Sequence, residues 1–357
     1  MHRRQLLAAT VAALTRASAR ADPPPADLAT IAAKAADGLG VCRVAFASIT
    51  AGVAQRADEL HRCAEAPSAA AIYQAASLSK PVFAYLVLKL VEQEILALDV
   101  PMARYLPEGY RHRQNLFALN QPPIEDLFPV ADLQRMTARM ILTHSSGLPN
   151  WASDAALSVA FEPGTDWRYS GEGYVLLQRA VEAVTGQSLE DLARRLVFAP
   201  MGMQHTSYRL SKAVAERLVA GRTASTASSR ATRPLRFPEP IASGSLYTSA
   251  DDYAAFMATV LRDKGLTARV IDGAVNVSRR LGLRWGLGWG VEETPQGTNL
   301  WHWGSNPGYR SLAMASLQSG NGIVVFTNDD RGMPVARSLV QAGLPGEHGA
   351  LRFAMLG

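Results

Sequence analysis

Two hydrophobic periods alternate along this chain, and the switches between them mark its organisation. "LATIAAKAADGLG" (28–40) carries apolar residues at helical spacing and stops on glycines. "VCRVAFASIT" (41–50) is β-branched and apolar, which predicts a strand. Residues 77–93 are apolar almost all round, the pattern of a helix buried on every side. Pro81 fits that helix only in its first turn, which puts Ser77 at the N-terminus and Lys80 one turn in. Residues 94–165 are turn-rich, with short helical pieces such as "LQRMTARMILTH". Helices follow at about 171–185, ended by Gly186, and at 189–198, where Ser188 and Asp191 have capping-box spacing. "TASTASSRATRP" (223–234) is the best linker candidate.

Ser249 then caps a helix, "ADDYAAFMATVL", and strand-like runs take over: "WGLGWGVEE", "NLWHWG", "YRSLAMASL" and "GIVVFTN". A last helix fits 333–343. Short turns join the C-terminal strands, so they pair antiparallel. Strands at both ends with helices between predict an α/β fold of the α+β type. A central antiparallel sheet is flanked by helices, with an inserted, mostly helical domain. The expected boundaries are 22–76 and 236–357 for a discontinuous sheet-containing domain and 77–235 for the helical one.

Composition narrows the function classes. Hydrophobic residues make up 48% of the 357 and charged residues 19%, ordinary for a globular chain. No apolar run reaches the roughly 18 residues of a membrane span. The first 21 residues, "MHRRQLLAATVAALTRASARA", read as an export signal, with two arginines before a short apolar stretch and a small-x-small cleavage site. "RRQLLA" resembles a twin-arginine leader, so the expected location is periplasmic or secreted. Without the leader's four arginines, 32 basic residues face 31 acidic ones, a net of +1. The basic balance therefore gives no argument for a nucleic-acid partner. Cys42 and Cys63 are the only cysteines. Their pairing and two buried thiols are both open readings, and their spacing does not indicate a zinc site.

Candidate chemistry begins at "SLSK" (77–80). Lysines are few, five against 31 arginines, and one of them stands where a helix enters the core. A serine hydroxyl is a weak nucleophile until a base takes its proton, and a desolvated lysine can be that base. At i and i+3 of a helix the two side chains share a face. The helix N-terminus adds free N–H groups suited to a developing oxyanion. The alternative is that Ser77 caps the helix and Lys80 lies at its exposed start. An S-x-x-K match arises by chance about 0.3 times in such a chain, so the motif alone does not decide. No G-x-S-x-G elbow, H-E-x-x-H, G-x-G-x-x-G or Walker loop competes with it.

Four further stretches accompany "SLSK": "ILTHSSGLP" (141–149), "FEPGTDWRYSGEGYVLL" (161–177), "APMGMQHTSY" (199–208) and "WHWGSNPGYRS" (301–311). In order and spacing, from about residue 30 to 345, the chain resembles the serine hydrolases related to class C β-lactamases. That superfamily includes penicillin-binding DD-peptidases and β-lactamase-like esterases. The resemblance implies Ser77 as nucleophile, Lys80 as its proton partner and Tyr169 of "YSG" as a proton shuttle, with Gly171 where the family's Y-x-N motif has asparagine. It places "HWGS" at the family's K-T-G strand, so His302 replaces the lysine and Gly304 lets substrate approach. The backbone N–H groups of Ser77 and Ser305 would form the oxyanion hole. A packing role for Tyr169 and a structural, hydrogen-bonded His302 are the alternatives. His144 and its turn read as structural. The missing asparagine and the weaker charge of a histidine point away from β-lactams, and Gly171 would leave room for a bulkier acyl group. The expected substrates are a carboxylic ester or small amide, then a muropeptide D-Ala–D-Ala bond, then a β-lactam. No metal or organic cofactor is implied. A penicillin-binding sensor or scaffold without turnover is the rival of another class. The oligomeric state is not legible.

Overall fold

The computed structural model describes residues 27–64, 70–225, 228–232 and 234–357, so the expected leader at 1–21 lies outside the described residues. The central sheet has nine strands, all antiparallel. Its spatial order is Val275–Ser278, Leu283–Trp285, Gly290–Thr294, Gly297–Asn306, Tyr309–Ser316, Gly322–Thr327 and Arg43–Thr50. Val53–Ala54 and Asp58–His61 both pair along the outer edge of the last of these. The N-terminal strand thus closes onto the C-terminal meander, with Phe46 opposite Val325.

The strand Arg43–Thr50 reads as a continuous apolar run because both of its faces are covered. Val44 and Phe46 join a core with Ala32 and Ala36 of helix Leu28–Leu39 and Leu339 of helix Met333–Gly343. Ala45, Ala47 and Ile49 point the other way, into the larger core with Phe83 and Phe256. This is the two-residue alternation of a strand. Helix Leu28–Leu39 stops at Gly40, whose φ of 66° lets its N–H return to the Ala36 and Asp37 carbonyls. Cys42 and Cys63 are joined by a disulfide. A bridge over a 21-residue separation contributes roughly 3 kcal/mol.

Helix Gly171–Thr185 follows the expectation, capped by the Ser170 side chain and ended by Gly186 at φ 65°. Helix Leu189–Ala193 is capped by Ser188 and runs on as a π-helical turn, Arg194–Phe198. The expected linker at 223–234 is instead a hairpin, Arg222–Ser225 pairing with Ser228–Ala231. Its base is tied to the end of the sheet, where the Arg222 N–H donates to the Asn328 carbonyl and the Asp330 N–H to the Arg222 carbonyl. Ser and Thr signal polarity rather than slack, and backbone pairing made this segment an element.

The buried helix spans Ser79–Glu92, two residues later than its apolar pattern predicts. Leu78 is its N-cap and no side chain caps it, so Ser77 lies outside the helix. Strand Tyr73–Ala76, paired with Leu246–Thr248, delivers the chain to that point.

Candidate active site

Ser77 sits at a forced corner between strand and helix. Ala76 has φ 51°, a left-handed conformation that is uphill for a residue with a β-carbon. The Ser79 hydroxyl holds the corner by donating to the Ala76 carbonyl at 2.5 Å and accepting from the Leu246 N–H at 3.0 Å. Tyr208 and Tyr253 donate to the Ser79 and Leu78 carbonyls. The corner leaves Ser77 half-buried, and among the described residues its N–H donates to no backbone carbonyl.

Lys80 is fully buried. Its Nζ donates to Ser77 Oγ at 3.0 Å and to the Ser243 carbonyl at 2.8 Å. The ring of Tyr169 lies beneath it, 4.8 Å from Nζ to centroid. Burial brings the lysine down from 10.5 to about 7, because the charged form loses its hydration. Both halves of the capping alternative therefore fail: Ser77 caps nothing, and Lys80 is neither exposed nor snorkelling.

Tyr169 is buried, and burial raises its pKa against the opposing influence of the Ser77 hydroxyl. The Tyr169 hydroxyl completes no hydrogen bond among the described residues. His144 packs against the same ring, 4.3 Å between centroids. The His144 Nδ1 accepts the Ser170 N–H at 3.1 Å, which assigns the proton of the neutral ring to Nε2. His144 also has φ 58°, so its turn is a sharp backbone feature.

His302 lies on strand Gly297–Asn306, fully buried. Its Nδ1 donates to the Trp303 carbonyl at 2.8 Å and its Nε2 has no partner among the described residues. Burial, then the Lys80 charge, draws it down to about 3, so it is a neutral ring throughout the physiological range. Trp301, opposite Gly290, is the last residue of this strand paired on that edge. Beyond it, residues 302–306 have no strand partner on that side among the described residues.

Two glycines act differently from expectation. A β-carbon on Gly304 would stand 2.2 Å from the Ala75 carbonyl and 2.3 Å from Ser311 Oγ. Gly304 thus lets the strand approach the corner before Ser77 rather than making room for substrate. A β-carbon on Gly171 would stand 2.7 Å from the Asn150 carbonyl and 2.9 Å from the Trp151 ring. The expected space for a bulkier acyl group is occupied by Trp151.

Ser77, Lys80, Tyr169 and His302 come together; Gly304 supports the corner and Gly171 is covered. Sequence reading missed Ser243, whose carbonyl takes a Lys80 proton and whose hydroxyl is buried without a partner, and it missed Trp151. "ASGSLYTS" around Ser243 carried no recognisable spacing. No cluster of three or more metal-ligating side chains occurs among the described residues. No helix among them is long and apolar enough to cross a membrane. A separate cavity of about 480 Å³, bordered by Tyr110, Arg113, Glu172, Arg179 and Glu239, includes none of Ser77, Lys80 and Tyr169.

The mixed fold, with a left-handed Ala76 before Ser77 and a buried Lys80 beside it, is structurally similar to proteins of the penicillin-binding and β-lactamase fold. The chain belongs to the Beta-lactamase family, whose model matches residues 29–344. It is 26% identical to esterase EstB of Burkholderia gladioli, covering 72% of this chain and 77% of that one. It is 24% identical to penicillin-binding protein 4* of Bacillus subtilis, covering 76% of this chain and 64% of that protein's length. Among solved structures, the octameric penicillin-binding protein homologue from Pyrococcus abyssi superimposes with a TM-score of 0.69 at 21% identity, over 88% of this chain and 75% of that one. A D-stereospecific amidohydrolase from Streptomyces sp. gives 0.69 at 18%, over 90% and 100%.

Proposed function

We propose that the protein is a serine hydrolase that cleaves a carboxylic ester or small amide through an acyl-enzyme. The observation that carries this is Lys80: buried, with a pKa near 7, and 3.0 Å from Ser77 Oγ. As a neutral amine it accepts the Ser77 proton while Oγ bonds to the substrate carbonyl carbon. The N–H groups of Ser77 and Ser305 steady the oxyanion, each worth roughly 3–4 kcal/mol. The carbon–leaving-group bond then breaks, and the proton passes from Lys80, by way of Tyr169, to the departing oxygen or nitrogen. Water reverses the sequence and frees the acid.

A neutral His302 supplies no fixed positive charge for a substrate carboxylate. That favours an uncharged ester or amide over a D-Ala–D-Ala peptide or β-lactam. On this reading the nucleophile lies where the unit 22–76 with 236–357 meets the helical unit 77–235. The Cys42–Cys63 disulfide accords with export to an oxidising compartment.

The test treats wild type and Ser77→Ala with a fluorophosphonate probe, followed by intact mass, and with ester, D-Ala–D-Ala peptide and cephalosporin substrates. One adduct on wild type alone, with ester turnover, supports the reading. Labelling without turnover of any substrate indicates a sensor instead. Neither labelling nor turnover removes the enzyme.

A further inference from the structure

We infer that Trp151, with Phe117 and Phe237, forms the wall that receives the acyl group delivered to Ser77, and that it selects aromatic acyl groups. The inference rests on the hydrolase reading above and names the substrate class of that site.

The wall begins at Gly171. The Ser170 backbone is extended, φ −134° and ψ 117°, so Tyr169 and Gly171 project to the same side of the chain. The Trp151 ring fills the position of the absent Gly171 side chain. An aromatic face from another loop thereby stands on the side from which Tyr169 addresses Ser77. The loop is held on both flanks of the ring. The Gly171 and Glu172 N–H groups donate to the Asn150 carbonyl at 3.1 and 3.2 Å, and the Ala152 N–H donates to the buried Glu172 carboxylate at 3.0 Å. A ring so anchored loses little freedom when a ligand stacks on it.

The opposite end of the wall reaches the turn that holds Lys80. Phe117 meets Trp151 edge to face at 4.9 Å and lies 6.1 Å from Phe237. The Phe237 ring lies 3.8 Å from where a β-carbon of Gly244 would be. Gly244 directly follows Ser243, whose carbonyl holds Lys80. The three rings therefore run from Gly171, two residues after Tyr169, to the Ser243 turn, and Tyr169 and Ser243 both contact Lys80. All three are only half-buried, whereas Trp285, Trp289 and Trp301 are fully enclosed. Rings left partly open, backed by buried Leu116, Val175 and Ile241, offer flat apolar contact beside a nucleophile.

The experiment compares p-nitrophenyl acetate with p-nitrophenyl phenylacetate, which differ only in the acyl group. Wild type should prefer phenylacetate. Trp151→Ala should lose about tenfold in kcat/KM on the phenylacetyl ester and stay within about twofold on the acetyl ester. Phe237→Ala, at a half-buried ring, should shift the same ratio less and guards against misfolding of the first variant. Equal losses on both esters, or no change in either variant, overturn the inference. A binding arm needs no turnover: Ser77→Ala should bind phenylacetate and not acetate by ligand-observed NMR, and adding Trp151→Ala should abolish it. Absent phenylacetate binding also overturns the inference. Trp151-dependent binding in a protein that hydrolyses neither ester would sink the hydrolase reading and leave the aromatic wall standing.

Discussion

Two buried basic side chains among the described residues, His348 and Lys80, sit in surroundings built in opposite ways. At one end of the sheet His348 Nδ1 is 2.8 Å from the fully buried Glu292, and its Nε2 is 2.7 Å from the Leu344 carbonyl. Glu292 also accepts from Asn299 and from the Ala350 N–H. Burial lowers the His348 pKa, but its contacts with Glu292 and with the Leu344 carbonyl outweigh it and the net shift is upward. Around Ser77 the burial is as deep, yet among the described residues no carboxylate pairs with Lys80, and burial alone accounts for its fall to about 7. There Tyr169, Ser243 and His302 each keep a polar atom without a partner. Buried polar groups are nearly always satisfied where stability is their purpose. A cluster left open, with its bases pushed towards neutrality, is suited to proton transfer.

The largest effects come from removing the open cluster's central pair. Ser77→Ala and Lys80→Met should each lower kcat/KM by roughly a thousandfold or more, read with a chromogenic ester. Lys80→Met should also raise stability. The folded pKa of Lys80, about 7, lies below its ordinary 10.5. Burying the charge is therefore most costly below pH 7, and the penalty fades as pH rises towards 10.5. The gain should reach roughly 2–4 kcal/mol at pH 6 and vanish in strongly alkaline melts. A variant that is inactive and less stable at pH 6 would contradict the account of Lys80.

The contrast can also be erased on purpose. Wild-type kcat/KM should climb through about pH 7 as Lys80 loses its proton. Ser243→Asp puts a carboxylate beside Lys80 and makes this cluster resemble the His348 one. The acid limb of the profile should move up by about 1–3 pH units, with activity at pH 7 down roughly tenfold or more. An unmoved limb would mean that Lys80 does not set the profile.

The closed cluster and the open one also differ in how legible they were. Ser77, Lys80 and Tyr169 stand in short ordered motifs, and the sheet showed in the β-branched, apolar run at 41–50 and in the strand-like runs near the C-terminus. The corner at Ala76 left no trace, because a left-handed alanine is imposed by its surroundings rather than by its own preference. Gly171 and Gly304 were visible as glycines, but what fills the space beside each comes from other segments, Asn150 and Trp151 for the first and Ala75 and Ser311 for the second. Trp151 and the Glu292–His348 contact belong to the same class, since tertiary proximity leaves no local spacing to read.

The smallest expected effect tests the closed cluster. Glu292→Gln keeps the shape and removes the charge that His348 and two further donors face. Stability should fall by about 1–3 kcal/mol, while kcat/KM at the pH optimum stays within about twofold. The folded pKa of His348 is raised above 6.5. Its pairing with Glu292 therefore stabilises fully below that value and is lost as pH rises through the folded pKa. The destabilisation should be larger in urea melts at pH 5.5 than at pH 8.5. If Glu292→Gln instead abolished activity at unchanged stability, the two clusters would share one function, and pairing with a carboxylate would no longer distinguish a buried base that stabilises from one that reacts.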